Sequence, residues 1–261
     1  MTKQDKKRRL NWSSLKHIHR SPLYYQHRID HPEPQKQSFL FGSGVHCLVL
    51  EPEKFDERYA ECELTRNKRH KAFQEWLSEH PGAVPLKPQE MADMRACAES
   101  VLSHRVASEV LRGGRHEEEI QWTDPDTGFE CRGRIDSIRT CVTDLKTGRD
   151  PSPRVFAVAA SKYLYHGQIA FYHFGATAAR LINGKEMPYI IAVESSPPWD
   201  VAVYRIKPED LWAGRQLCLD LMKRLEECIA TDFWPGVAPD LQYLDLPRWA
   251  PGLQQSDDEE W

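Results

Sequence analysis

The sequence predicts an α/β fold in which a mixed central sheet is flanked by helices, with a helical layer contributed by the N-terminal part. Apolar residues recur at helical spacing through the first hundred or so positions. From "EEEIQWTD" onward the period drops to that of strands. The element order is helices, three strands, a helix, two strands and a closing helix, which suits a sheet covered on its faces.

The 261 residues are 40% hydrophobic and 28% charged, an ordinary globular composition long enough for one sizeable core. A single domain over residues 1–253 is expected, mainly helical over 1–111 and α/β over 112–253, with a disordered tail at 254–261. No run approaches the roughly 18–20 apolar residues of a membrane helix. The basic start "MTKQDKKRRL" leads into no apolar signal-like segment. A cytoplasmic chain with no membrane partner is the expectation. The seven cysteines are scattered and form no CxxC pair, which points to free, mostly buried thiols rather than a clustered metal site. The net charge of −4 argues against nucleic-acid binding over the whole surface, but leaves room for a local basic groove.

Residues 11–29 read as a helix broken near Ser21-Pro22, followed by the Pro/Gln-rich turn "DHPEPQKQ". "SFLFGSGVHCLVLEPEKFDERY" is an apolar helix in which Gly42 and Gly44 permit close packing. The polar stretch 61–88 carries one helical face of Phe73, Trp76 and Leu77. Residues 87–111 form a helix ended by Gly113-Gly114. "EEEIQWTD" and "FECRGRIDSI" flank Pro125-Asp126-Thr127-Gly128 as a hairpin, and "CVTDLKTG" is a third strand. "SPRVFAVAASKYLYHGQIAFYHFGATAARL" reads as one long helix. "PYIIAVES" and "VAVYRIK" are strands on either side of Pro197-Pro198. "KPEDLWAGRQLCLDLMKRLEECIA" closes the fold, with Pro208 in its first turn.

The chemistry begins in "VTDLKTG". Strand parity puts Asp144 and Lys146 on one face and Leu145 on the other. Alone, such a pair is an ordinary surface salt bridge worth about 0–1 kcal/mol. Asp136 changes that, because it ends the preceding strand. If the two strands pair, Asp136 and Asp144 meet at a sheet end, and two converging carboxylates call for a cation between them. Mg²⁺ suits such oxygen ligands, and Mn²⁺ can substitute. A lysine beside the ion can orient water or meet charge on a phosphoryl group.

Upstream, "RHEEEIQW" offers a third acid. Glu117 and Glu119 share one face of an extended strand and Glu118 takes the other, so parity leaves the choice open. His46 sits in an almost wholly apolar helix, as a core or cap residue or, if that helix meets the carboxylates, as a ligand. Tyr165, Gln168 and Tyr172 form one helix stripe, in which the glutamine is the member that packing alone does not call for. Arg132 and Arg134 alternate in the strand of Asp136, as phosphate contacts or as a polar face.

In this order, "FLFGSGVHCLVLEPEKF", "HEEEIQWTDPDTGFECRGRID", "VTDLKTG" and "YLYHGQIAFY" resemble the nuclease domain of RecE-type exonucleases. These are exodeoxyribonuclease VIII-like proteins of phages and prophages, in the PD-(D/E)XK superfamily with the lambda-type exonuclease. The resemblance runs from about residue 11 to about residue 250. It implies a restriction-endonuclease-like core. It implies metal ligation by His46, Glu117, Asp136, Asp144 and the Leu145 carbonyl, with Lys146 as the catalytic lysine. Gln168 and Tyr172 match the helix motif that supports the site and contacts DNA. The family often has proline before the first aspartate, where this chain has Ile135.

The resemblance further implies Mg²⁺-dependent, 5′→3′ degradation of linear double-stranded DNA from its ends, for DNA recombination and repair. The 3′ single strand would pass to a single-strand annealing protein. It also implies a homo-oligomeric ring of three or four subunits. The competing expectations are a restriction- or repair-type endonuclease of the same superfamily and a non-catalytic DNA-binding recombination scaffold.

Overall fold

The computed structural model describes residues 9–32, 38–64, 66, 69–247 and 249–251. Most of the expected Pro/Gln-rich turn, at 33–37, and the expected tail at 254–261 lie outside the described residues.

The N-terminal part is helical, as its periodicity requires: α1 (Trp12–Leu15), α2 (Pro22–Asp30), α3 (Ser38–Leu50), α4 (Phe55–Arg58), α5 (Lys71–Glu79), α6 (Pro88–Ser103) and α7 (Arg105–Leu111). The expected break near Ser21 is an N-cap. Ser21 Oγ accepts from the Tyr24 N–H at 3.1 Å, and Pro22 occupies the first turn, where it costs no hydrogen bond. The helix expected over 87–111 is two helices. His104 takes an extended backbone and its Nδ1 accepts from the Ala107 N–H at 3.2 Å, so it caps α7 while ending α6. A short parallel ribbon of β1 (Tyr59–Glu61) and β2 (Val84–Leu86) joins segments that the sequence pattern had left unpaired.

The main sheet contains β3 (Arg115–Thr123), β4 (Glu130–Ile138), β5 (Val142–Gly148), β6 (Tyr189–Glu194) and β7 (Val201–Arg205), in that spatial order. Only β5 and β6 run parallel, and the other neighbours are antiparallel. That makes it the expected mixed sheet. The parallel pair needs a long crossover, which α8 (Pro153–Lys162) and α9 (Tyr165–Ala178) supply. Here the expectation of one long helix fails. Leu164 adopts a left-handed backbone with φ 58° and splits the pattern, although no glycine or proline marks the place. That conformation costs a non-glycine residue about 1–2 kcal/mol. Packing of Leu164 against the core holds it there. The closing helix is α10 (Pro208–Thr231).

Helices cover both faces of the sheet. On one face Ile120, Trp122, Ile135 and Val142 pack with Phe171 of α9 and Leu221, Met222 and Leu225 of α10. On the other, Leu145, Ile191 and Val193 meet Val45 and Leu48 of α3 and Met94, Cys97 and Val101 of α6. Gly44 works as expected: a Cβ there would collide with the Met94 sulfur, so glycine lets α3 approach α6. Leu145 is buried at the centre of this second cluster. Truncating such a leucine to alanine costs about 2–5 kcal/mol, so its strand is held in place from behind the site.

The β3–β4 hairpin is clamped to α10. Asp124 Oδ1 accepts from the Thr127 N–H at 3.1 Å, which shapes the turn, and both carboxylate oxygens take the Arg215 guanidinium at 2.7 and 3.1 Å. All seven cysteines are buried and free. Among the described residues no helix is long and apolar enough to cross a membrane.

Candidate functional site

The site forms where β4 and β5 part. Their ladder holds only Ile138↔Val142 and Ser137↔Thr143. The next step of that register would place Asp136 opposite Asp144, and there the strands no longer pair. Freed from the ladder, the Leu145 N–H donates instead to Asp136 Oδ2 at 2.8 Å. A buried backbone donor needs some partner, and a side chain of the site provides it.

The same aspartate faces His46. Helix α3 carries the imidazole to the sheet, with Nδ1 3.7 Å from Asp136 Oδ2. The third member is Glu117, and the backbone selects it. The β3–β4 register pairs His116↔Ser137 and Glu118↔Ile135 but skips the step between them, where Glu117 stands opposite Asp136. Glu117 has φ 51°, a left-handed value that side chains rarely take inside a strand. Strand parity therefore does not hold at this residue. One ligand atom from each of His46, Glu117 and Asp136 lies within 4.8 Å of the others. Glu118 instead sits 3.5 Å from Arg115, and Glu119 is exposed.

This set of one imidazole and two carboxylates fits a divalent cation. Burial raises the Glu117 carboxyl above its ordinary range; Arg134, whose Nε is 2.7 Å from Oε2, opposes the rise, and Asp136 adds to it. Two acids this close disfavour joint ionisation until positive charge is supplied.

Asp144 and Lys146 share a face, as parity predicts, and that face looks onto α9. Asp144 Oδ2 lies 2.5 Å from Lys146 Nζ, and Oδ1 accepts from Gln168 Nε2 at 3.2 Å. The structure thus places Asp144 in a lysine–glutamine clasp, outside the group of three that His46, Glu117 and Asp136 form. Burial pushes the Asp144 carboxyl up to about 6, against the pull of Lys146 and with the help of Asp136. For Lys146 burial acts downward, but Asp144 and Asp136 outweigh it and the ammonium is held above its ordinary range. Lys146 Nζ also stands 5.1 Å over the Tyr165 ring.

Tyr172, the last of the expected helix stripe, packs against β4 at Gly133. A Cβ there would lie 2.6 Å from the tyrosine ring, so only glycine admits the contact. Burial raises the Tyr172 phenol further than the nearby Asp144 and Asp136 do.

His46, Glu117, Asp136, Lys146, Tyr165 and Gln168 open on a cleft of about 1250 Å³, with Asp144 and Tyr172 behind its wall. Its walls carry Lys16, Arg58, Arg134, Arg149, Arg154 and Lys162 around Lys146, against Glu117, Asp136 and Asp150. An acidic chain thus concentrates positive charge in one groove. Arg134 lines it, whereas Arg132 is exposed elsewhere on the strand. Sequence reasoning missed Lys16, whose ammonium is lowered by partial desolvation and then by Lys146 and Arg28. It also missed Arg149, Arg154 and Lys162. The one available signal was their closeness in sequence to "DLKTG". Helix α8 adds exposed Val155, Val158 and nearby Tyr163 to the same wall. Leu145 borders the cleft, while its side chain belongs to the core cluster with α3 and α6.

The model of a family described as a PDDEXK-like domain of unknown function (DUF3799) matches residues 11–247. In fold the chain is similar to the crystal structure of a candidate exonuclease from Eubacterium rectale, with a TM-score of 0.64 and 11% identity over 94% of this chain and 92% of that one. At such identity the likeness shows the fold alone. A second solved structure, SSO0001, superimposes with a TM-score of only 0.29 and 14% identity, over 77% of this chain and 88% of its own. No curated protein matches the chain.

Proposed function

The chain belongs to the PDDEXK-like family DUF3799; from the geometry of its site and the resemblance of its motifs we propose that it is a metal-dependent exodeoxyribonuclease of the RecE type, acting on the ends of linear double-stranded DNA. The observation that carries the proposal is the group of His46, Glu117 and Asp136, set beside the Asp144–Lys146 pair at the floor of a basic cleft. Mg²⁺ is the proposed ion, held by His46, Glu117 and Asp136; the resemblance would add the Leu145 carbonyl and Asp144, although Asp144 here holds Lys146 and Gln168 instead. Once bound, it would act as a Lewis acid toward a phosphoryl oxygen and make water more acidic.

The chain's own residues do the rest. Arg134, Arg149, Arg154 and Lys162 attract the phosphate backbone into the cleft. Asp144 orients Lys146, and the two acids keep Nζ protonated. The ammonium then meets negative charge as it develops on the phosphoryl group. Gln168 fixes the second oxygen of Asp144, so the pair cannot rotate out of place. Water adds to phosphorus, the bond to the 3′-oxygen breaks, and that oxygen takes a proton. The products are a 3′-hydroxyl and a 5′-phosphate.

The resemblance to RecE-type exonucleases implies 5′→3′ polarity, a 3′ single strand left for an annealing protein, and a ring of three or four subunits. Such a ring would reconcile a net charge of −4 with DNA binding, because only the channel need be basic. The test is digestion of a linear duplex labelled at either end, with and without a 5′-phosphate, in Mg²⁺ and in EDTA, beside covalently closed circles. Nucleotide release from the 5′ end in Mg²⁺ alone, with circles intact, is expected. Cut circles would favour endonuclease action. Digestion at the wild-type rate by Lys146→Met would remove the lysine from the mechanism.

A further inference from the structure

One side chain touches both the candidate metal group and the cleft. Arg134 Nε lies 2.7 Å from Glu117 Oε2, and its side chain is 61% exposed against 11% for Glu117. The arginine therefore reaches the ligand with one edge of its guanidinium, while most of the fork faces the open cleft it lines. A carboxylate held by a guanidinium is a poorer ligand for a cation, since the two positive charges contend for the same oxygens and repel each other.

Resting on the nuclease reading above, we infer that Arg134 is a positioning residue that couples metal binding to nucleic-acid binding. Without nucleic acid its guanidinium occupies Glu117 and weakens the metal site. A phosphate entering the cleft gives the fork a second anion, one that it can take with two parallel N–H donors. The arginine then releases Glu117 to the cation. Glu117 stays in position throughout, because its left-handed backbone and its place opposite Asp136 belong to the sheet and not to the ion pair. Coupling of this kind is reciprocal, so the metal must tighten phosphate binding by the same factor. The cluster would load its ion fully only when substrate is present, which limits idle metal chemistry.

The test is calorimetric titration of the full chain with Mn²⁺, alone and with a phosphorothioate-linked duplex that resists hydrolysis. Wild type is expected to bind Mn²⁺ more tightly with the duplex than without it. Arg134→Gln removes the competitor, so without DNA it should bind Mn²⁺ about three- to fivefold more tightly than wild type, the size of an exposed ion pair. Its gain from the duplex should shrink by the same factor. Arg134→Lys keeps a cation on Glu117 and should match wild type in the absence of DNA. An Arg134→Gln chain that binds Mn²⁺ no better than wild type, or more weakly, would mean that the arginine merely props Glu117, and the inference would fall while the nuclease reading stood. Wild-type Mn²⁺ binding that Asp136→Asn leaves untouched would overturn the metal site, and the inference with it.

Discussion

The Leu145 N–H donates to Asp136 Oδ2 at 2.8 Å, so the strand that carries Lys146 is fastened to the neighbouring strand by a side chain of the candidate metal group. One carboxylate thus has two tasks, a structural bond and a ligand charge. Two substitutions separate them. Asp136→Asn keeps an acceptor for Leu145 and loses the charge. It should lower metal affinity and cut the rate by at least about 10²-fold, with little change in melting temperature. Asp136→Ala loses both and leaves a buried donor unmet, at about 1–3 kcal/mol. At roughly 2–4 °C per kcal/mol, calorimetry should show the alanine variant melting clearly below the asparagine variant. Equal melting temperatures would show that the bond contributes nothing.

Gln168 tests a residue that need not touch the ion. It donates to Asp144 Oδ1 at 3.2 Å, and Asp144 in turn holds Lys146. Gln168→Leu keeps the volume and removes the donor. Supporting partners of this kind typically matter by 10–100-fold, so kcat should fall by about that factor while the melting temperature moves by a few degrees at most. A full wild-type rate would show that Lys146 needs no such orientation.

The sequence was most informative where a simple period ruled. Alternation along β5 placed Asp144 and Lys146 on one face and Leu145 in the core, and helical spacing put Tyr165, Gln168 and Tyr172 toward that face. It failed where the backbone leaves its period. Leu164 breaks a helix through tertiary packing, and nothing in its own chemistry announces the left-handed turn. The cleft was illegible for another reason. Lys16, Arg58 and Arg154 come from separate elements and share a wall only after folding. Three of the residues named as ligands, His46, Glu117 and Asp136, do converge, but the separation of Asp144 from them needed the divergence of β4 and β5.

Glu117 shows the same limit and yields its own prediction. Parity set Glu117 and Glu119 on one face and Glu118 on the other without choosing between them, and a left-handed φ at Glu117 turns that residue toward Asp136. Glu117→Gln should therefore reduce metal affinity and rate by about 10²-fold or more, as loss of a ligand would. Glu118→Gln removes only a pair with Arg115, and Glu119→Gln alters an exposed side chain, so both should stay within a few-fold of wild type. Mn²⁺ titration of the three variants in parallel decides the matter. A ranking with Glu118 or Glu119 first would contradict the backbone assignment.

The pH dependence of the metal-free chain isolates Asp144. Burial is the main cause that raises its carboxyl to about 6; Lys146 opposes the rise and Asp136 adds to it. An unfolded aspartate titrates near 3.9, so between about pH 4 and 6 the folded chain binds the extra proton. The stability that this group contributes is therefore complete below about pH 4 and is lost as pH rises through about 6. Lys146 has the same sign in a different window, because its raised value makes its contribution persist until strongly alkaline pH. With EDTA present, the melting temperature of wild type relative to Asp144→Asn should fall as pH goes from 4 to 7, and then level off. Divalent cation should move that fall to lower pH, since added positive charge favours the carboxylate. A difference that stays flat from pH 4 to 7 in EDTA would mean that Asp144 ionises as freely in the fold as out of it, and that the lysine–glutamine clasp does not bury its charge.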